Sequence, residues 1–350
     1  MDEALAVARK GWGQTAPNPL VGAVLYNGDQ KVGEGFHSRF GEAHAEAVAL
    51  DAAGEKARGA TLYVTLEPCS HHGKTPPCTD AILESGVTRV VAAVKDPNPA
   101  AKGGAEILIA KGIPVKFGVR EKEARELNAA FFYSLSSDRP WVTLKLALSL
   151  DGALSGAGRA GGWLTGNESL DLVHRMRASS DAIAVGISTA IADDPRLTAR
   201  IEPAPRVAPV RVVFDRRARL SSQSNLARTA RETPTILVTA NDTRLPADLE
   251  QLGVEQIRAH DMPDALHQLK ERGVLSLMVE GGAGLAASFL AGDYVDRLVI
   301  FRAPIILGAG ALNAFAGIAS QEIDHAPRFS LLETKRVGND VMSVYTPLHD

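Results

Sequence analysis

Apolar residues in the first third of the chain fall into short β-branched runs separated by stretches with helical spacing. Residues 2 to 10 read as a short helix, and the breaker-rich TAPNP delivers the chain into an apolar run, Leu20 to Leu25, that reads as a strand. In AHAEAVALDAAG, Ala45, Val48, Ala49 and Ala52 recur at helical spacing and Gly54 supplies a stop, which places His44 and Glu46 in the first turn of a helix. A strand from Thr61 to Leu66, a long loop from Glu67 to Pro77, a helix over Thr79 to Glu84 and the strand RVVAAV around Val90 follow. Strands alternating with helices predict stacked α/β layers.

A helical segment from Glu121 to Leu135 runs out in SLSSDRP, whose Ser, Asp and Pro cluster reads as a linker. The boundary is therefore expected near residue 138, with one domain over 1–138 and another over 139–350. Beyond it, WVTLKLAL, AIAVGIS, VRVVFD, TILVTA, LSLMVEGG and RLVIFRAPII read as buried strands, with helical patterns at 167–178 and 284–291. This is a second α/β unit. APRVAP, at 204–209, reads as irregular surface, and no repeat of fixed period is visible.

Bulk composition narrows the function. The 350 residues exceed the roughly 250–300 at which single cores stop growing, in keeping with two domains. With 38 Lys and Arg against 41 Asp and Glu the formal charge is −3, so the basic excess of a nucleic-acid binder is missing and a small-molecule substrate is expected. No apolar stretch approaches the ~20 residues that span a bilayer, and the opening MDEALAVARKG is charged rather than an apolar signal core, which predicts a cytoplasmic protein without a membrane partner.

Cysteine occurs only at Cys69 and Cys78, which argues against a disulfide framework and leaves metal binding or inert burial. His44, Cys69 and Cys78 offer one imidazole and two thiolates, a set suited to tetrahedral zinc with one open position. The arrangement H-x-E with P-C and a second Cys is the signature of zinc deaminases, in which zinc acidifies a water and a non-ligand Glu, here Glu46, shuttles protons to the leaving amine. H-x-E alone arises by chance and buried cysteines are common, so the combination carries the argument. Eight residues, SHHGKTPP, separate the cysteines, in place of the short C-x-x-C form.

With TLEPCSHHGKTPPCTDAI, APNPLVGAV, HAEAVAL and the DPNP at 96–99, the chain resembles the bacterial bifunctional riboflavin-biosynthesis deaminase/reductase family. The resemblance implies a cytidine-deaminase-like three-layer α/β/α domain that deaminates 2,5-diamino-6-(5-phosphoribosylamino)pyrimidin-4(3H)-one. It assigns zinc to His44, Cys69 and Cys78, proton transfer to Glu46, and substrate contacts to Asn18, His37, His71 and Lys74. From the residues alone, Lys74, His71 and His72 suit either a phosphate or a solvated loop, and Asn18 suits either a pyrimidine edge or a turn between prolines.

The second half has no G-x-G-x-x-G after its first strand, so a Rossmann site is not indicated. The resemblance continues through KLALSLDGAL, GGWLTG, ADDPRLT and VEGGAGLAASFL and implies a dihydrofolate-reductase-like α/β domain using NADPH. The strand Leu275 to Val279 ends at Glu280, and Gly281, Gly282 and Gly284 open a helix where backbone N–H groups can approach a phosphate, although such turns are also a common structural feature. By position, cofactor contacts fall on Ala147, Trp163, Thr189, Asp193 and Gly282, Ala283, Gly284, Leu285, Ala286, Ala287 and Ser288. Substrate contacts fall on Gly161, Arg177, Leu197, Arg200 and Glu280, with the two arginines suited to the ribose phosphate. Lys145, Asp193 and Glu280 are candidate proton donors for reduction at C1 of the opened ribose, and each also has an ordinary reading as an ion-paired lysine, a helix cap and a strand-end residue. Arg216 and Arg217 suit the 2′-phosphate of NADPH or a solvated surface pair; the family's usual residue at 216 is a serine, so cofactor preference stays open there. The resemblance and apolar helices such as AEILIAKG imply a homodimer or tetramer.

Two rivals compete with this reading. A single-function deaminase of nucleosides or a tRNA base is opposed by the long inter-cysteine loop and the acidic charge. A purely structural zinc site is opposed by three ligands where four are usual, with a carboxylate next to the vacant position.

Overall fold

The computed structural model describes residues 1–99, 101–158, 162–319 and 322–348. The chain divides into two compact units, Met1–Ser137 and Asp138–Asp350. In the first, strands β1 (Gly22–Asn27), β2 (Gln30–Phe36), β3 (Thr61–Val64), β4 (Arg89–Ala92) and β5 (Val115–Lys116) form one sheet in the order β2-β1-β3-β4-β5. β1 runs antiparallel to β2 and β3, whereas β3, β4 and β5 are parallel. Helices α1 (Asp2–Ala8), α2 (Ala45–Ala53), α3 (Cys78–Ser85), α4 (Gly104–Ala110), α5 (Glu121–Leu127) and α6 (Ala129–Ser134) complete the unit. Residues of α2, α3 and α4 (Ala49, Ile82, Leu108) share a core with Leu25 and Leu62 on one face, and Ala4, Leu5 and Ala124 of α1 and α5 pack on the other. The result is three layers.

Three local expectations change. His44 is extended (φ −74°, ψ 160°) and caps α2 rather than lying inside it. The first strand starts at Gly22, two residues later than expected, because the Leu20 N–H and C=O are both engaged by the Asn128 carboxamide, at 2.8 and 2.9 Å. The same Asn128, with φ −116°, splits the expected helix over Glu121 to Leu135 into α5 and α6.

In the second unit, strands β6 (Trp141–Leu148), β7 (Ala153–Ser155), β8 (Ala182–Gly186), β9 (Val210–Phe214), β10 (Thr235–Ala240), β11 (Glu255–Ala259), β12 (Ser276–Glu280), β13 (Arg297–Arg302), β14 (Leu312–Asn313), β15 (Phe329–Val337) and β16 (Asp340–Pro347) alternate with α7 (Asn167–Ala178), α8 (Ile187–Asp193), α9 (Asn225–Arg228), α10 (Ala247–Gln251), α11 (Met262–Glu271) and α12 (Ala283–Ala291). Among the described residues nine strands form one sheet, β11-β10-β9-β8-β12-β6-β13-β16-β15, parallel from β11 to β13 and antiparallel thereafter. β6 alternates strictly. Val142, Leu144, Leu146 and Leu148 are buried beneath α11 and α12, and Thr143, Lys145 and Ala147 face the other layer. Burying each such leucine is worth about 1.5–3 kcal/mol, against about 0–1 kcal/mol for an exposed ion pair, so burial sets the register of this strand. On the Lys145 face, Val173 of α7 packs with Met278, Val299, Phe301 and Met342. The Asp340 carboxylate, at the start of β16, accepts from Gly166 N (2.9 Å) and Ser169 Oγ (2.6 Å) and so fixes where α7 begins. No described helix is long and apolar enough to cross a membrane.

The loop after β3 is placed by Glu67, whose carboxylate accepts from Asp96 N at 3.1 Å and Ala105 N at 3.0 Å, tying it to the loop after β4 and to the first turn of α4. A Cβ on Gly104 would overlap the Pro68 carbonyl oxygen. Gly104→Ala therefore has to displace α4 or the Pro68–Cys69 segment, and it is expected to destabilise the unit by about 1–3 kcal/mol, seen as a lower urea midpoint with an unchanged m-value.

Candidate active sites

His44 at the cap of α2, Cys69 in the loop after β3 and Cys78 at the start of α3 converge, their donor atoms all lying within 4.8 Å of one another. His44 Nδ1 is 3.2 Å from Cys78 Sγ and 3.4 Å from Cys69 Sγ. Tetrahedral zinc at about 2.0–2.3 Å from each donor requires neighbouring donors roughly 3.5–3.8 Å apart, so one imidazole and two sulfurs at these separations fit that ion. The Cys78 N–H, in the first turn of α3, donates to Cys69 Sγ at 3.4 Å and favours negative charge on it. A hydrogen bond from Cys78, helped by His44, holds the Cys69 thiol down at about 4 despite burial; the same bond to Cys69 and burial push the Cys78 thiol up. A cation bound between these donors takes the place of protons on the sulfurs.

Glu46, two residues into α2, is 3% exposed. Burial pushes its carboxyl up to about 7, with the Cys69 thiolate acting in the same direction and His44 opposing. A carboxyl that holds or releases a proton near neutrality stands beside three metal donors. It opens on a cavity of about 270 Å³ lined by Asn18, His37, Phe40, His71, Lys74, Asp96 and Phe131 among others.

Within that cavity His37 is buried, with Nδ1 3.2 Å from the Ala43 carbonyl oxygen and Nε2 3.2 Å from Asn18 Nδ2. A carbonyl only accepts, so Nδ1 carries the proton, Nε2 accepts, and the Asn18 amide is turned with its oxygen away from His37. Lys74 lies over the Phe40 ring, 4.2 Å from its centroid. Thr75 Oγ1, 3.4 Å from His44 Nε2, supports the metal-facing imidazole from behind and was missed in the sequence, although it sits inside the cysteine loop.

In the second unit Glu280, ending β12, lies opposite Lys145 on β6 in register, with Lys145 Nζ 4.0 Å from Glu280 Oε2. Arg177 of α7 grips the same carboxylate, Nε to Oε1 at 2.5 Å and Nη2 to Oε2 at 2.9 Å. Burial alone would raise the Glu280 carboxyl, but the Arg177 guanidinium holds it below its usual range; burial lowers the Lys145 ammonium. The β8–α8 and β12–α12 turns lie side by side, for a Cβ on Gly282 would come within 2.6 Å of Thr189 Oγ1 and one on Gly186 within 3.5 Å of Leu285 Cβ. Gly186 and Gly282 cap adjacent helices, so their first N–H groups line one edge of the sheet.

Both halves resemble known proteins. Residues 1–94 match the cytidine and deoxycytidylate deaminase zinc-binding region, and residues 140–343 match the RibD C-terminal domain. The riboflavin biosynthesis protein RibD of Aquifex aeolicus is 43% identical, covering 98% of this chain and 96% of that protein. The chain belongs to the RibD family. RibD of Acinetobacter baumannii superposes with a TM-score of 0.86 at 36% identity, covering 99% of this chain and 98% of that one. The diaminohydroxyphosphoribosylaminopyrimidine deaminase/5-amino-6-(5-phosphoribosylamino)uracil reductase of Thermotoga maritima does so with a TM-score of 0.87 at 36% identity, covering 99% and 97%. As a RibD the chain is a bifunctional enzyme of riboflavin biosynthesis, with a zinc-binding deaminase domain and an NADPH-dependent reductase domain acting on a small molecule.

The remaining residues expected from sequence in the second unit differ widely in exposure. Trp163 is 72% exposed, whereas Leu197 is 3% exposed and packs with Ile183, Val185 and Val213, so only its backbone, at φ 48°, is free to meet a ligand. Ala283, Ala286 and Ala287 are buried on α12 and likewise offer only backbone; Gly284, Leu285 and Ser288 complete that turn of helix. Ala147 follows Lys145 on the same face of β6. Asp193 ends α8, and the neighbouring Asp194, not Asp193, makes the capping contacts, accepting from Asn225 N and Nδ2 at 2.7 and 2.9 Å. Arg216 is exposed at the end of β9, its carbonyl held by Ala240 N. Gly161 lies outside the described residues. His174, three residues before Arg177 on α7, was not singled out in the sequence.

Removing one sulfur tests the metal centre. Cys78→Ser is expected to leave the far-ultraviolet circular dichroism unchanged while the zinc content of the purified protein, by atomic absorption, falls from about one per chain to well under half. Full retention of zinc would contradict the assignment of Cys78 as a ligand.

Proposed function

We propose that the first unit hydrolyses 2,5-diamino-6-(5-phosphoribosylamino)pyrimidin-4(3H)-one to 5-amino-6-(5-phosphoribosylamino)uracil and ammonia, and that the second reduces the ribosyl group of that product to ribityl with NADPH. The observation that carries the first step is the buried Glu46 carboxyl beside the His44, Cys69 and Cys78 donors at a cavity furnished with Asn18, His71 and Lys74. Zinc held by those three side chains supplies the Lewis acidity that makes water nucleophilic at neutral pH. Glu46 takes a proton from the attacking water and returns one to the exocyclic amine, which leaves as ammonia while the ring carbon gains oxygen. Asn18, oriented by His37, presents its amide to the pyrimidine edge, and Lys74 with His71 meets the phosphate.

In the second unit NADPH supplies the hydride that reaches C1 of the opened ribose. The backbone N–H groups at the Gly282 cap beside Thr189 would hold its phosphates, and the exposed Arg216 would be the residue available to a 2′-phosphate. Lys145 is the proton source, because burial weakens its hold on the proton, and Glu280 keeps it in place under the grip of Arg177. Arg177 is thus occupied with a carboxylate, and Arg200, exposed on the segment after α8, is the phosphate contact. We place the enzyme in the cytoplasm as a homo-oligomer, without nucleic-acid or membrane partners, in keeping with its formal charge of −3.

A coupled assay on zinc-loaded protein tests both steps, following ammonia release and NADPH oxidation separately. Ammonia followed by stoichiometric NADPH consumption is expected. Glu46→Gln is expected to abolish ammonia release, by at least 10²-fold, while still oxidising NADPH with supplied deaminated intermediate. Neither signal from folded, metal-replete protein would sink the proposed function, and loss of both steps in Glu46→Gln would contradict separate sites.

A further inference from the structure

An imidazole and a guanidinium meet where α7 faces the segment that follows α8. His174 is 8% exposed, with Nε2 3.0 Å from Arg200 Nη2, and with Nδ1 3.2 Å from the Thr198 carbonyl oxygen and 3.3 Å from Arg200 N. A guanidinium nitrogen only donates, so Nε2 is the accepting nitrogen. A neutral imidazole that accepts at Nε2 carries its proton on Nδ1, and that N–H donates to Thr198. The opposite tautomer would accept the Arg200 N–H at Nδ1 but would lose the Thr198 bond and point a hydrogen at the guanidinium, so it makes one contact in place of two. Arg177, one turn further along α7, donates from Nη1 to the same carbonyl at 3.1 Å. The segment is therefore hung on α7 by two donors, and the Arg200 side chain is held by one acceptor.

We propose that His174 is a positioning residue for substrate binding in the reductase, holding the otherwise exposed Arg200 guanidinium in place so that its remaining N–H groups receive the ribose phosphate. The inference rests on the reading of Arg200 as the phosphate contact. An unrestrained arginine samples many rotamers, and ordering it before the ligand arrives removes that entropy from the cost of binding. The role requires the neutral imidazole, since a protonated Nε2 would point a hydrogen at the guanidinium. Burial first, then the charges of Arg177 and Arg200, hold His174 below its ordinary range, against the opposing charge of Glu280.

The test compares reductase kinetics of the full-length zinc-loaded enzyme on the deaminated phosphoribosyl intermediate and on its dephosphorylated ribosyl counterpart. The variants are His174→Leu, His174→Gln, Arg200→Ala and the Leu/Ala double variant. His174→Leu is expected to raise KM for the phosphorylated substrate about tenfold, with the loss in KM rather than kcat and little change for the dephosphorylated one. Glutamine, whose Oε1 accepts from a guanidinium, recovers most of that loss, and the double variant is no worse than Arg200→Ala. If the leucine variant does not fold, His174→Asn, which keeps a donor near Thr198 but is too short to accept from Arg200, gives the same contrast. Equal losses on both substrates, additive effects in the double variant, or an unchanged KM in His174→Leu beside a raised KM in Arg200→Ala would each overturn the proposal. An unchanged KM in Arg200→Ala itself overturns the phosphate reading, and the positioning role with it.

Discussion

Charge buried without a partner costs several kcal/mol, and both sites of this RibD are built around satisfying that demand. In the deaminase unit the Glu46 carboxyl, the His44 imidazole and two thiols occupy one largely buried corner, where His44 favours a thiolate at Cys69 and burial pushes the Glu46 carboxyl up to about 7. In the reductase unit Lys145 and Glu280 face one another across β6 and β12, and Arg177 supplies the second cation that keeps Glu280 ionised. Each cluster is tolerable only as a set. The same property makes each one reactive, because groups whose protonation is balanced by near neighbours change state when a substrate or ion alters that balance.

The frameworks that deliver these groups follow one rule: in both units the chemistry sits at the C-terminal ends of parallel strands, where the chain turns into a helix. Pro68 and Cys69 follow β3, the DPNP turn follows β4, Glu280 ends β12, and Gly186 and Gly282 lead from β8 and β12 into helices. Glu67 shows how tightly such an edge is specified, for a single carboxylate ties the loop after β4 to the start of α4 while the adjacent Pro68 carbonyl fills the space that Gly104 leaves open. In the second unit this edge also carries the two glycine caps on which the proposed dinucleotide contacts rest, in a chain without the usual glycine fingerprint. Two neighbouring helix caps are brought together there because β8 and β12 are adjacent in the sheet, and their N–H groups suit an anion.

Much of this was readable along the chain. The alternation in WVTLKLAL, the helical spacing in AHAEAVALDAAG and the glycine-opened helix after VEGG are local consequences of which face of an element is buried, and local patterns survive in sequence. The zinc ligands were nameable because metal chemistry restricts residue type severely, and Cys69 and Cys78 were the only cysteines available. Element boundaries were less legible. The break at Asn128 depends on a carboxamide reaching Leu20, 108 residues earlier, and no local pattern encodes a contact of that range.

What the sequence by itself determined was therefore the inventory: two α/β units, a zinc donor set with its carboxyl, and the cationic and glycine-rich segments of a reductase. Only the tertiary structure decided how those residues are paired. It paired Arg177 with Glu280, turned the Leu197 side chain into the core, and brought His174 to Arg200. The physical reason is that residue type fixes what a group can donate, accept or ligate, while the partner it finds depends on strand order and helix placement. Those are properties of the whole folded chain, set by burying its apolar faces.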